Sequence, residues 1–503
     1  MRKKIFILLI TSLMILSNCQ KKTNKIDSIG DEQILVRIGD ITISKAEFIR
    51  RAEYTPRPNY CQYNFPVHKK IILNSLIAEK LMVLESNDTA KVHSSESMNK
   101  YLIGRKEQAM RQFLQYKTGH KKVKSIDTTA ALNLARYTKR HYTVDFITAT
   151  NLDTANDIAN LLPNGSFSDI VNEFYPLDTI PSKLVKWHEV EDDSVMNEFY
   201  RKDWAKDDVI GPIKVSDNQY LIAKVKSFVE NAGENSEDYS TRLNRIYDYK
   251  TDQKASAYYN QYVRDVMKDK KLNWDRDILI ALVHIVAPNY LKSKEEQENR
   301  LQNIFWDIKE KEYDLVKEKQ NLEDIIDKEL FNIDGESWTV KRFFEYRQQH
   351  PLVFRQRKMK NNEFTENFQM AIVDMITDYY LTEEAYQQNI NKVDVIQRNY
   401  NMWHDHIVGM YQFEQHLKTV ETDTTIDTQQ KYMKTYLNPY TRSLQQKYSD
   451  QIEINQKVFD SIELTRTQMI VYKTNAPFPV VVPPFPIVTD EHKMDYGKKM
   501  VQN

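Results

Sequence analysis

Residues 142–230 limit what this chain can fold into more tightly than any other stretch. The segment begins YTVDFITATN, in which apolar and polar side chains alternate as they do in a half-buried strand. Asp153 to Leu162 then follows helical spacing, with Ala155 and Ile158 on one face. Pro163-Asn164-Gly165 ends this helix. The segment therefore opens with a strand followed directly by a helix.

The rest of the segment predicts three further elements. Apolar residues from Phe167 to Phe174 indicate a second short helix. After an irregular segment, Gly211-Pro212 is predicted to form a turn. Two strands, IKV and YLIAKVKSF, follow it. The order strand, helix, helix, irregular segment, strand, strand predicts a small α+β domain.

Several short patterns in this segment resemble the parvulin-type prolyl isomerase domain. NGSFSDIVNEF resembles a family segment in which Gly, a small residue and Phe precede an apolar and charged helix. KWHEV resembles the family's Gly-Trp-Phe strand, and VMNEFY resembles a turn that carries Met and Phe. KDDVIGPIKVSDNQYLIAKV resembles the closing strands. The resemblance covers residues 141–230 and implies a groove that binds proline-containing peptide, in which Met196 and Phe199 match the apolar pocket and Trp187 and Tyr220 complete the peptide-binding residues.

The departures from the family pattern concern its polar residues. Asp145 and Leu221 occupy the two positions at which the family carries histidines, and Ser182 to Val185 replaces paired glycines. Prolyl isomerisation needs a shaped pocket and polar groups that act on an amide barrier of about 18–20 kcal/mol. We therefore expect no catalytic residues and a binding domain with weak or no turnover. A shifted alignment, or a polar contribution from His188, would instead allow an active isomerase.

The first nineteen residues predict a secretory signal. Arg2 to Lys4 form a basic start, and Ile5 to Leu16 form an apolar run too short to span a bilayer. The sequence Leu-Ser-Asn-Cys that ends at Cys19 resembles the cleavage box of bacterial lipoproteins. Cys19 is then the lipid attachment site. The alternative is an ordinary signal peptide with an incidental cysteine.

The polar residues 20–33 predict a flexible tether. In lipoproteins of the Bacteroidota type, an acidic run after the cysteine marks surface export, and here Gln20-Lys21-Lys22 follows instead. This favours a periplasmic protein anchored by lipid to the inner leaflet of the outer membrane.

Composition excludes several classes of function. Lys plus Arg equals Asp plus Glu at 71 each, which argues against a nucleic-acid partner. Cys61 is the one cysteine beyond Cys19, and it is interpreted as a buried small residue. On a helix, His404 and His406 do not face the same way, so the run Trp403 to His406 does not predict a metal site. No cofactor is expected.

The segment ILVRIGDITISKAEFIRR opens the globular part of the chain, and an amphipathic helix from Val67 to Ser86 follows it. The residues predicted to face inward on this helix are Ile71, Ile72, Leu76, Ile77, Leu81 and Leu84. The Gly39-Asp40 turn joins two short strands, and Ser44 is predicted to cap a helix. This beginning resembles that of the SurA/PrsA-like periplasmic folding factors. The matching residues are Gly39, Ile43, Phe48, Leu76, Ile77, Leu81 and Glu85.

Scarce glycine, 10 of 503 residues, and long stretches rich in Lys, Glu and Gln predict a mostly helical chain. The predicted fold class is α+β and predominantly α-helical, with one or more SurA-like helical modules and one inserted parvulin-like domain. The predicted parts are a signal peptide, a tether, an N-terminal module, the parvulin-like domain, a long closing helix, a second helix-rich module and a proline-rich tail. Their bounds are 1–19, 20–33, 34–140, 141–230, 231–275, 276–465 and 466–503.

The second half contains a faint repeat of the first. FNIDGESWTVKRFFEY lines up with VRIGDITISKAEFIRR, and a helix from Asn367 to Gln388 follows it. A true duplication and a chance likeness between two hairpin-helix units both explain the pattern. Val393 to Leu464 is predicted to be helical, and Thr467 to Tyr472 is predicted to form a strand. LQQKYSDQIEINQKVFDSI resembles the folding factors' closing segment, in which a helix leads to an extended piece that packs on the N-terminal module. Residues 475–488, rich in proline, are predicted to be extended, either docked in a groove or disordered.

Together these patterns predict a periplasmic lipoprotein chaperone of the parvulin/SurA class. Its partners would be unfolded exported or outer-membrane proteins, held reversibly in an apolar cleft without ATP. The alternatives are an active peptidyl-prolyl isomerase and a structural subunit of an outer-membrane insertion or secretion complex.

Overall fold

The computed structural model describes ten segments of the chain. They are residues 33–86, 95–175, 179–190, 192–216, 218–230, 236–290, 322–355, 359–420, 429–464 and 482–500. Helix accounts for 61% and strand for 16% of the structure, so the predicted class, mixed α+β and mostly helical, is confirmed. The predicted signal peptide with Cys19, the predicted strand at Thr467 to Tyr472 and the start of the proline-rich tail lie outside the described residues.

The elements alternate between short hairpins and long helices. The strands are β1 (Ile34–Ile38), β2 (Ile41–Ser44), β3 (Arg140–Ala149), β4 (Ser182–Val185), β5 (Val209–Ser216), β6 (Gln219–Glu230), β7 (Leu272–Trp274), β8 (Glu329–Ile333), β9 (Glu336–Thr339), β10 (Ile452–Ile454) and β11 (Lys498–Lys499). The helices are α1 (Lys45–Glu53), α2 (Pro66–Glu85), α3 (Glu96–Thr118), α4 (Thr128–Tyr137), α5 (Leu152–Leu161), α6 (Phe167–Phe174), α7 (Asp193–Phe199), α8 (Ser236–Met267), α9 (Arg276–Tyr290), α10 (Val340–Gln349), α11 (Phe364–Gln387), α12 (Asp394–Thr419), α13 (Gln429–Tyr432), α14 (Asn438–Lys447) and α15 (Gln456–Asp460).

The chain forms two compact units, and each takes residues from distant parts of the sequence. Unit 1 comprises Met1–Ala109, Lys341–Leu352 and Asn389–Asn503. Unit 2 comprises Met110–Val340 and Val353–Gln388. Residues 276–465, which the sequence predicts as one module, are therefore divided between the two units.

Unit 1 begins with the predicted hairpin. Gly39 has a φ of +56° in the turn, a conformation that glycine adopts without the steric cost of a Cβ atom. Ser44 caps α1 as predicted, because its hydroxyl accepts a hydrogen bond from the backbone N–H of Glu47 at 3.0 Å. The hairpin then joins strands from the far end of the chain, in the order β11-β10-β1-β2.

Helix α2 is buried on all sides over most of its length, whereas the sequence predicts an amphipathic helix. Of the predicted inward residues, Ile71, Ile72, Leu76, Ile77 and Leu81 are buried and Leu84 is partly buried. The polar residues on the opposite side are buried as well, namely Asn74, Ser75, Glu79 and Lys80. The prediction of one solvated face is wrong because other parts of unit 1 cover that face.

The end of the chain provides part of that cover. From Val482 onward the extended tail packs into unit 1, and Phe485 and Val488 belong to the same apolar core as α2. Asn74 of α2 donates to the backbone oxygens of Glu491 and Lys493 at 2.7 and 2.9 Å. For residues 482–488 the docked alternative is therefore confirmed.

The predicted closing segment also behaves as expected within the described residues. Helix α14 leads into β10, and Ile454 and Ile452 of β10 pair antiparallel with Val36 and Ile38 of β1. The prediction of continuous helix from Val393 to Leu464 is wrong, since β10 interrupts it. Cys61, predicted to be buried, has no exposed surface, and burial raises the pKa of its thiol to about 12.

In unit 2, residues 140–230 form a four-stranded antiparallel sheet in the order β4-β3-β6-β5. One face is packed against helices that include α4 and α7, through Tyr142, Val144, Ala223 and Val225. The other face carries Ala149 and Ile222, which pack with residues of α5 and α6. Side chains of successive strand residues alternate between the two faces, as the pleat requires.

The predicted elements of this domain are present, with two corrections. Gly211-Pro212 is not a turn, because both residues lie inside β5, where the register shifts and the peptide bond between them is cis. Gly211 has a φ of +107°, and a Cβ atom there would collide with the backbone oxygen of Leu221. The predicted strand KWHEV is a 3₁₀ turn at Trp187–Glu189, and β4 precedes it.

Unit 2 also contains the second hairpin that the repeat predicts. Strand β8 pairs with β9 on one side and with β7 on the other, which gives a three-stranded sheet in the order β7-β8-β9. Trp338 stacks on Phe331 with ring centroids 5.3 Å apart. Helix α10 follows β9 directly, but from Lys341 its residues belong to unit 1. The hairpins β1-β2 and β8-β9 thus have the same local form, and each is followed directly by a helix. The first hairpin lies in the same unit as its helix, whereas the second hairpin and nearly all of α10 lie in different units.

The docked tail generates a stability prediction. We expect Phe485→Ala to lower the free energy of unfolding of unit 1 by about 3–5 kcal/mol, because it removes a buried ring and leaves a cavity. Hydrogen exchange of the backbone amides in α2 measures this loss. Ile487→Ala is the matched control, since Ile487 is 37% exposed in the same segment. Equal exchange in the two variants would contradict the role of the tail as core.

Candidate functional site

Two of the four predicted peptide-binding residues are part of the sheet domain's core. Met196 and Phe199 on α7 are 2% and 1% exposed and pack with Tyr142, Tyr200 and Trp204. Their side chains therefore hold α7 against the sheet and do not line an open pocket. The sequence pattern correctly predicts that Met196 and Phe199 contribute to an apolar environment. It does not show that other side chains of the domain cover both residues.

Local hydrogen bonds fix α7 in this position. The side chain of Asp192 caps the helix by accepting from the backbone N–H groups of Ser194 and Val195 at 2.8 and 2.9 Å. At the other end, the indole N–H of Trp204 donates to the backbone oxygen of Phe199 at 3.0 Å. The capped first turn and the anchored last turn make α7 a rigid wall of the domain.

Trp187 lies beside this core and is half-buried. Its ring packs edge-on against Tyr249 of α8, with centroids 6.0 Å apart. The Tyr249 hydroxyl donates to Asp193 at 2.7 Å, so α8 braces the start of α7. The indole nitrogen of Trp187 is buried and has no hydrogen-bond partner among the described residues. An N–H in this state is a donor that an incoming backbone carbonyl can satisfy.

Tyr220, the fourth predicted residue, lies on the other face of the sheet. It packs with Ile222 and the residues of α5 and α6, whereas Leu221 packs on the face of Met196. The structure therefore brings Met196, Phe199 and Trp187 together and separates Tyr220 from them. The alternation of β6 explains the separation, because Tyr220 is one residue out of phase with Leu221.

The two positions predicted to replace the family's histidines do not face each other. Asp145 forms an ion pair with Lys226 at 3.2 Å. Leu221 lies on the opposite face, where it is paired with Thr148 of β3 and packs against the core that contains Met196. Phe146 packs against the same core. The two predicted positions, Asp145 and Leu221, therefore do not form one pair on one face of the sheet.

Strand β4 gives this domain an exposed edge. It pairs with β3 on one side, in a register that sets Val185 opposite Tyr142 and Ser182 opposite Asp145. Leu184 in this strand is 44% exposed. An edge strand presents backbone N–H and C=O groups to which an extended peptide can add. Since β4 leads directly to Trp187, the edge and the unpaired indole N–H are adjacent along the chain.

Unit 1 contains a buried ionic cluster that the sequence analysis missed. Arg51 of α1 donates two hydrogen bonds to the carboxylate of Glu79 on α2, at 2.9 and 2.8 Å, and both side chains are fully buried. The ring nitrogen Nδ1 of His406 on α12 lies 2.6 Å from the same carboxylate. Arg51 also donates to the backbone oxygen of Pro484 at 2.8 Å. The cluster thus links three helices to the docked tail.

A second buried ionic group is centred on Lys80, the residue that follows Glu79 on α2. The ammonium of Lys80 is 2.9 Å from Asp405 and 3.0 Å from Glu47. Asp405 also contacts His404 at 3.0 Å. Within the described residues no group of His, Cys, Asp and Glu has the arrangement of a metal site.

The pKa values of these groups follow from burial and from their partners. Burial opposes the charge of Glu79, but Arg51 and His406 outweigh it and hold its pKa well below the usual value. Burial likewise opposes the charge of Lys80, yet Glu47 and Asp405 raise its pKa. For His406 burial is the largest effect and lowers the pKa, although Glu79 acts in the opposite direction.

One sequence signal could have revealed this cluster. Glu79 and Lys80 interrupt an otherwise apolar helix, and charged residues are almost never fully buried unless they are paired. The sequence does not name their partners, because Asp405 and His406 lie more than three hundred residues away along the chain.

In the part of the chain that the structure describes, no helix has both the length and the apolar character needed to cross a membrane. Comparisons of the chain with models of known families, with curated proteins and with solved structures found no match.

The ionic cluster predicts the effect of removing one charge. We expect Glu79→Gln to lower the free energy of unfolding of unit 1 by about 3–5 kcal/mol, because it leaves the Arg51 guanidinium buried without its counter-charge. Chemical denaturation with circular dichroism measures the change. Glu463→Gln, at an exposed glutamate, is the control. If both variants lowered the free energy of unfolding by the same small amount, the stabilising role of the ionic cluster would be contradicted.

The same cluster predicts acid sensitivity. A group whose pKa is lower in the folded state than in the unfolded state stabilises the fold at high pH and loses that contribution as pH falls. For His406 the loss begins near the unfolded pKa of about 6.5, and for Glu79 it begins near about 4.3. Burial raises the pKa of Glu47, which acts in the opposite sense.

We therefore expect the stability of unit 1 to fall as the pH drops below about 6.5. At pH values above those at which carboxylates titrate, His406→Gln should reduce the dependence of the stability of unit 1 on pH. His492→Gln, at an exposed histidine, should leave that dependence unchanged. Denaturation midpoints measured at a series of pH values test this. An unchanged slope in His406→Gln would show that His406 does not set the dependence.

Proposed function

We propose that this chain is a lipid-anchored, periplasm-facing chaperone of the SurA/PrsA-like class, with a parvulin-like domain that binds extended polypeptide and has weak or no isomerase turnover. Its partners are unfolded exported or outer-membrane proteins, which it holds without ATP. The observation that carries the proposal is the sheet domain of residues 140–230. It combines a parvulin-like order of elements with Asp145 and Leu221 at the two positions where the family carries histidines, and these two residues lie on opposite faces of the sheet.

The order of elements supports the parvulin-like part of this proposal. Strand β3, helices α5 and α6 and the paired strands β5 and β6 follow one another in the predicted order. The segment predicted to be irregular contains β4 and helix α7, and α7 replaces the turn predicted at VMNEFY. Strand β6 lies at the centre beside β3, and α7 carries Met196 and Phe199 against the sheet. These features agree with the motifs on which the resemblance rests.

The architecture of unit 1 supports the SurA/PrsA-like part. A small hairpin, a capped helix and a long buried helix open the unit, and β10 returns to pair with β1. That return is the arrangement the closing segment predicts. Unit 1 thus has the form of an N-terminal module completed by the end of the chain.

The edge of the sheet domain suggests how clients are held. An extended client segment would add to β4 through backbone hydrogen bonds, which are independent of side-chain identity. The indole N–H of Trp187 would donate to one of its carbonyl oxygens. Leu184 would contact an apolar client side chain. Recognition of this kind is reversible and broad, as a holding function requires.

The alternatives are less well supported by the described residues. An active isomerase needs polar groups near the proline amide, and Phe146 and Leu221 occupy the face where they would stand. A structural subunit of an envelope complex draws its support from the proline-rich tail and the long charged helices. Residues 482–488 of that tail are packed in unit 1, which removes part of this support.

A holding assay tests the proposal. We expect the unlipidated full chain to slow the aggregation of an unfolded outer-membrane protein diluted from denaturant, as followed by light scattering. Trp187→Phe should weaken the affinity for client about threefold to tenfold, because it removes one hydrogen bond worth about 0.5–1.5 kcal/mol. Trp274→Phe is the control, since Trp274 is also half-buried but packs on Phe331 in another sheet.

A prolyl isomerisation assay on the same full chain separates the first alternative. We expect no acceleration of cis-trans exchange in a short proline peptide, because the domain lacks the polar pair. If the full chain accelerated the exchange, and if Phe146→Ala or Leu221→Ala abolished that acceleration, the result would instead establish a catalytic pocket. A chain that neither bound client nor slowed aggregation would contradict the chaperone proposal.

A further inference from the structure

A second exposed apolar surface lies in unit 1, away from the sheet domain in sequence. Tyr63, Phe65 and Val67 are 49%, 59% and 45% exposed, and Pro66 between them is exposed as well. Four such residues within five positions form a contiguous apolar surface, which we call the Phe65 patch. Contiguous exposed apolar residues of this kind mark interaction sites more often than single ones do.

Internal contacts hold the Phe65 patch in a defined conformation. The backbone N–H of Tyr63 donates to Nδ1 of His68 at 3.0 Å. The rings of Tyr63, Phe65 and His68 pack against one another with centroids between 5.2 and 5.8 Å apart. Asn64 accepts a hydrogen bond from the backbone N–H of Leu464 at 3.1 Å. The exposed rings are therefore presented by an ordered loop.

The charge around the Phe65 patch is positive. The segment from Pro56 to Lys70 contains no Asp or Glu, and Lys69 and Lys70 follow the patch after His68. The Lys69 ammonium contacts the backbone oxygen of Ile462, so Lys70 is the lysine that can approach lipid phosphates. Glu463 places one carboxylate at this end of the unit. An aromatic surface next to lysine is typical of protein segments that rest in the headgroup region of a bilayer, where rings enter the interface and lysines approach lipid phosphates.

Hydrogen bonds connect the patch to the start of the described chain. The backbone oxygen of Gln33 accepts from the N–H of Lys45 at 2.9 Å, and the Lys45 ammonium donates to Ser461 at 3.0 Å. The backbone oxygen of the next residue, Ile462, accepts from Lys69 at 2.8 Å. Gln33 and the Phe65 patch thus belong to the same end of unit 1.

We propose that the Phe65 patch docks on the surface of the lipid bilayer to which the chain is anchored. The inference rests on the proposed lipid attachment at Cys19. Thirteen residues separate Cys19 from Gln33, and a chain of that length spans at most about 45 Å. The tether therefore keeps this end of unit 1 close to the membrane, where even a weak interfacial contact becomes effectively intramolecular.

The membrane accounts for these observations better than an unfolded client does. A client site gains nothing from lying next to the anchoring end of the chain, whereas a membrane contact requires it. Docking would fix the orientation of unit 1 at the bilayer, with the patch facing the lipid. The binding edge at β4 belongs to the other unit and does not take part.

The test uses the full mature chain without its native lipid, mixed with vesicles of phosphatidylethanolamine that contain a minority of phosphatidylglycerol. Flotation measures the partition coefficient. We expect Phe65→Ser combined with Tyr63→Ser to lower it about tenfold, because two half-exposed rings no longer enter the interface. Val353→Ser is the control, since Val353 is 70% exposed in unit 2.

A second measurement gives the orientation. The Cys19 thiol is coupled to a maleimide lipid in the same vesicles, and the buried Cys61 does not compete because burial keeps its thiol protonated. Hydrogen exchange should then show protection of residues 59–70 relative to the chain in solution. This coupling does not depend on whether cells acylate Cys19, which mass spectrometry of the native protein decides separately.

The outcomes separate the two proposals. Equal partition of the wild type and the double variant, without protection of residues 59–70, would overturn the membrane-docking proposal. Unchanged partition with weakened slowing of client aggregation would also overturn it and would assign the patch to clients. A normal holding assay with lost vesicle partition supports membrane docking and leaves the chaperone proposal intact.

Discussion

The contact on which unit 1 depends is the fully buried ion pair between Arg51 and Glu79. It joins α1 to α2, and its outer hydrogen bonds reach His406 on α12 and the backbone of Pro484 in the tail. A buried charge is tolerated only when partners replace the water it has lost. The pair therefore ties the packing of α2 to the correct placement of segments that come last in the chain.

This dependence explains why both ends of the chain meet in one unit. Strand β1 pairs with β10, and α2 is covered by α12, α14 and the tail. Such contacts span more than three hundred residues, so the loops they close are long and form late. A chain built in this way cannot complete unit 1 until its C-terminal residues are available, which is compatible with export before folding.

In the proposed function, the side chains on the core face of the sheet domain favour peptide binding over isomerisation. The same face of the sheet that packs Met196 and Phe199 carries Phe146 and Leu221. Apolar residues at these positions strengthen the core, but they offer no polar group to act on an amide. The features proposed for recognition are the edge of β4 and the indole N–H of Trp187. Both can form hydrogen bonds with an extended peptide, and neither is a group that catalyses prolyl isomerisation.

The sequence by itself determined the local structure of this protein. Ser44 capped its helix, the predicted strands IKV and YLIAKVKSF formed within β5 and β6, and the mostly helical class was confirmed, because capping, alternation and helical spacing act over a few residues. Tertiary structure alone decided the burial of Glu79 and Lys80, the docking of Phe485 and the packing of Leu221 against the core that contains Met196. Each of these depends on a partner distant along the chain, which spacing within one segment does not encode.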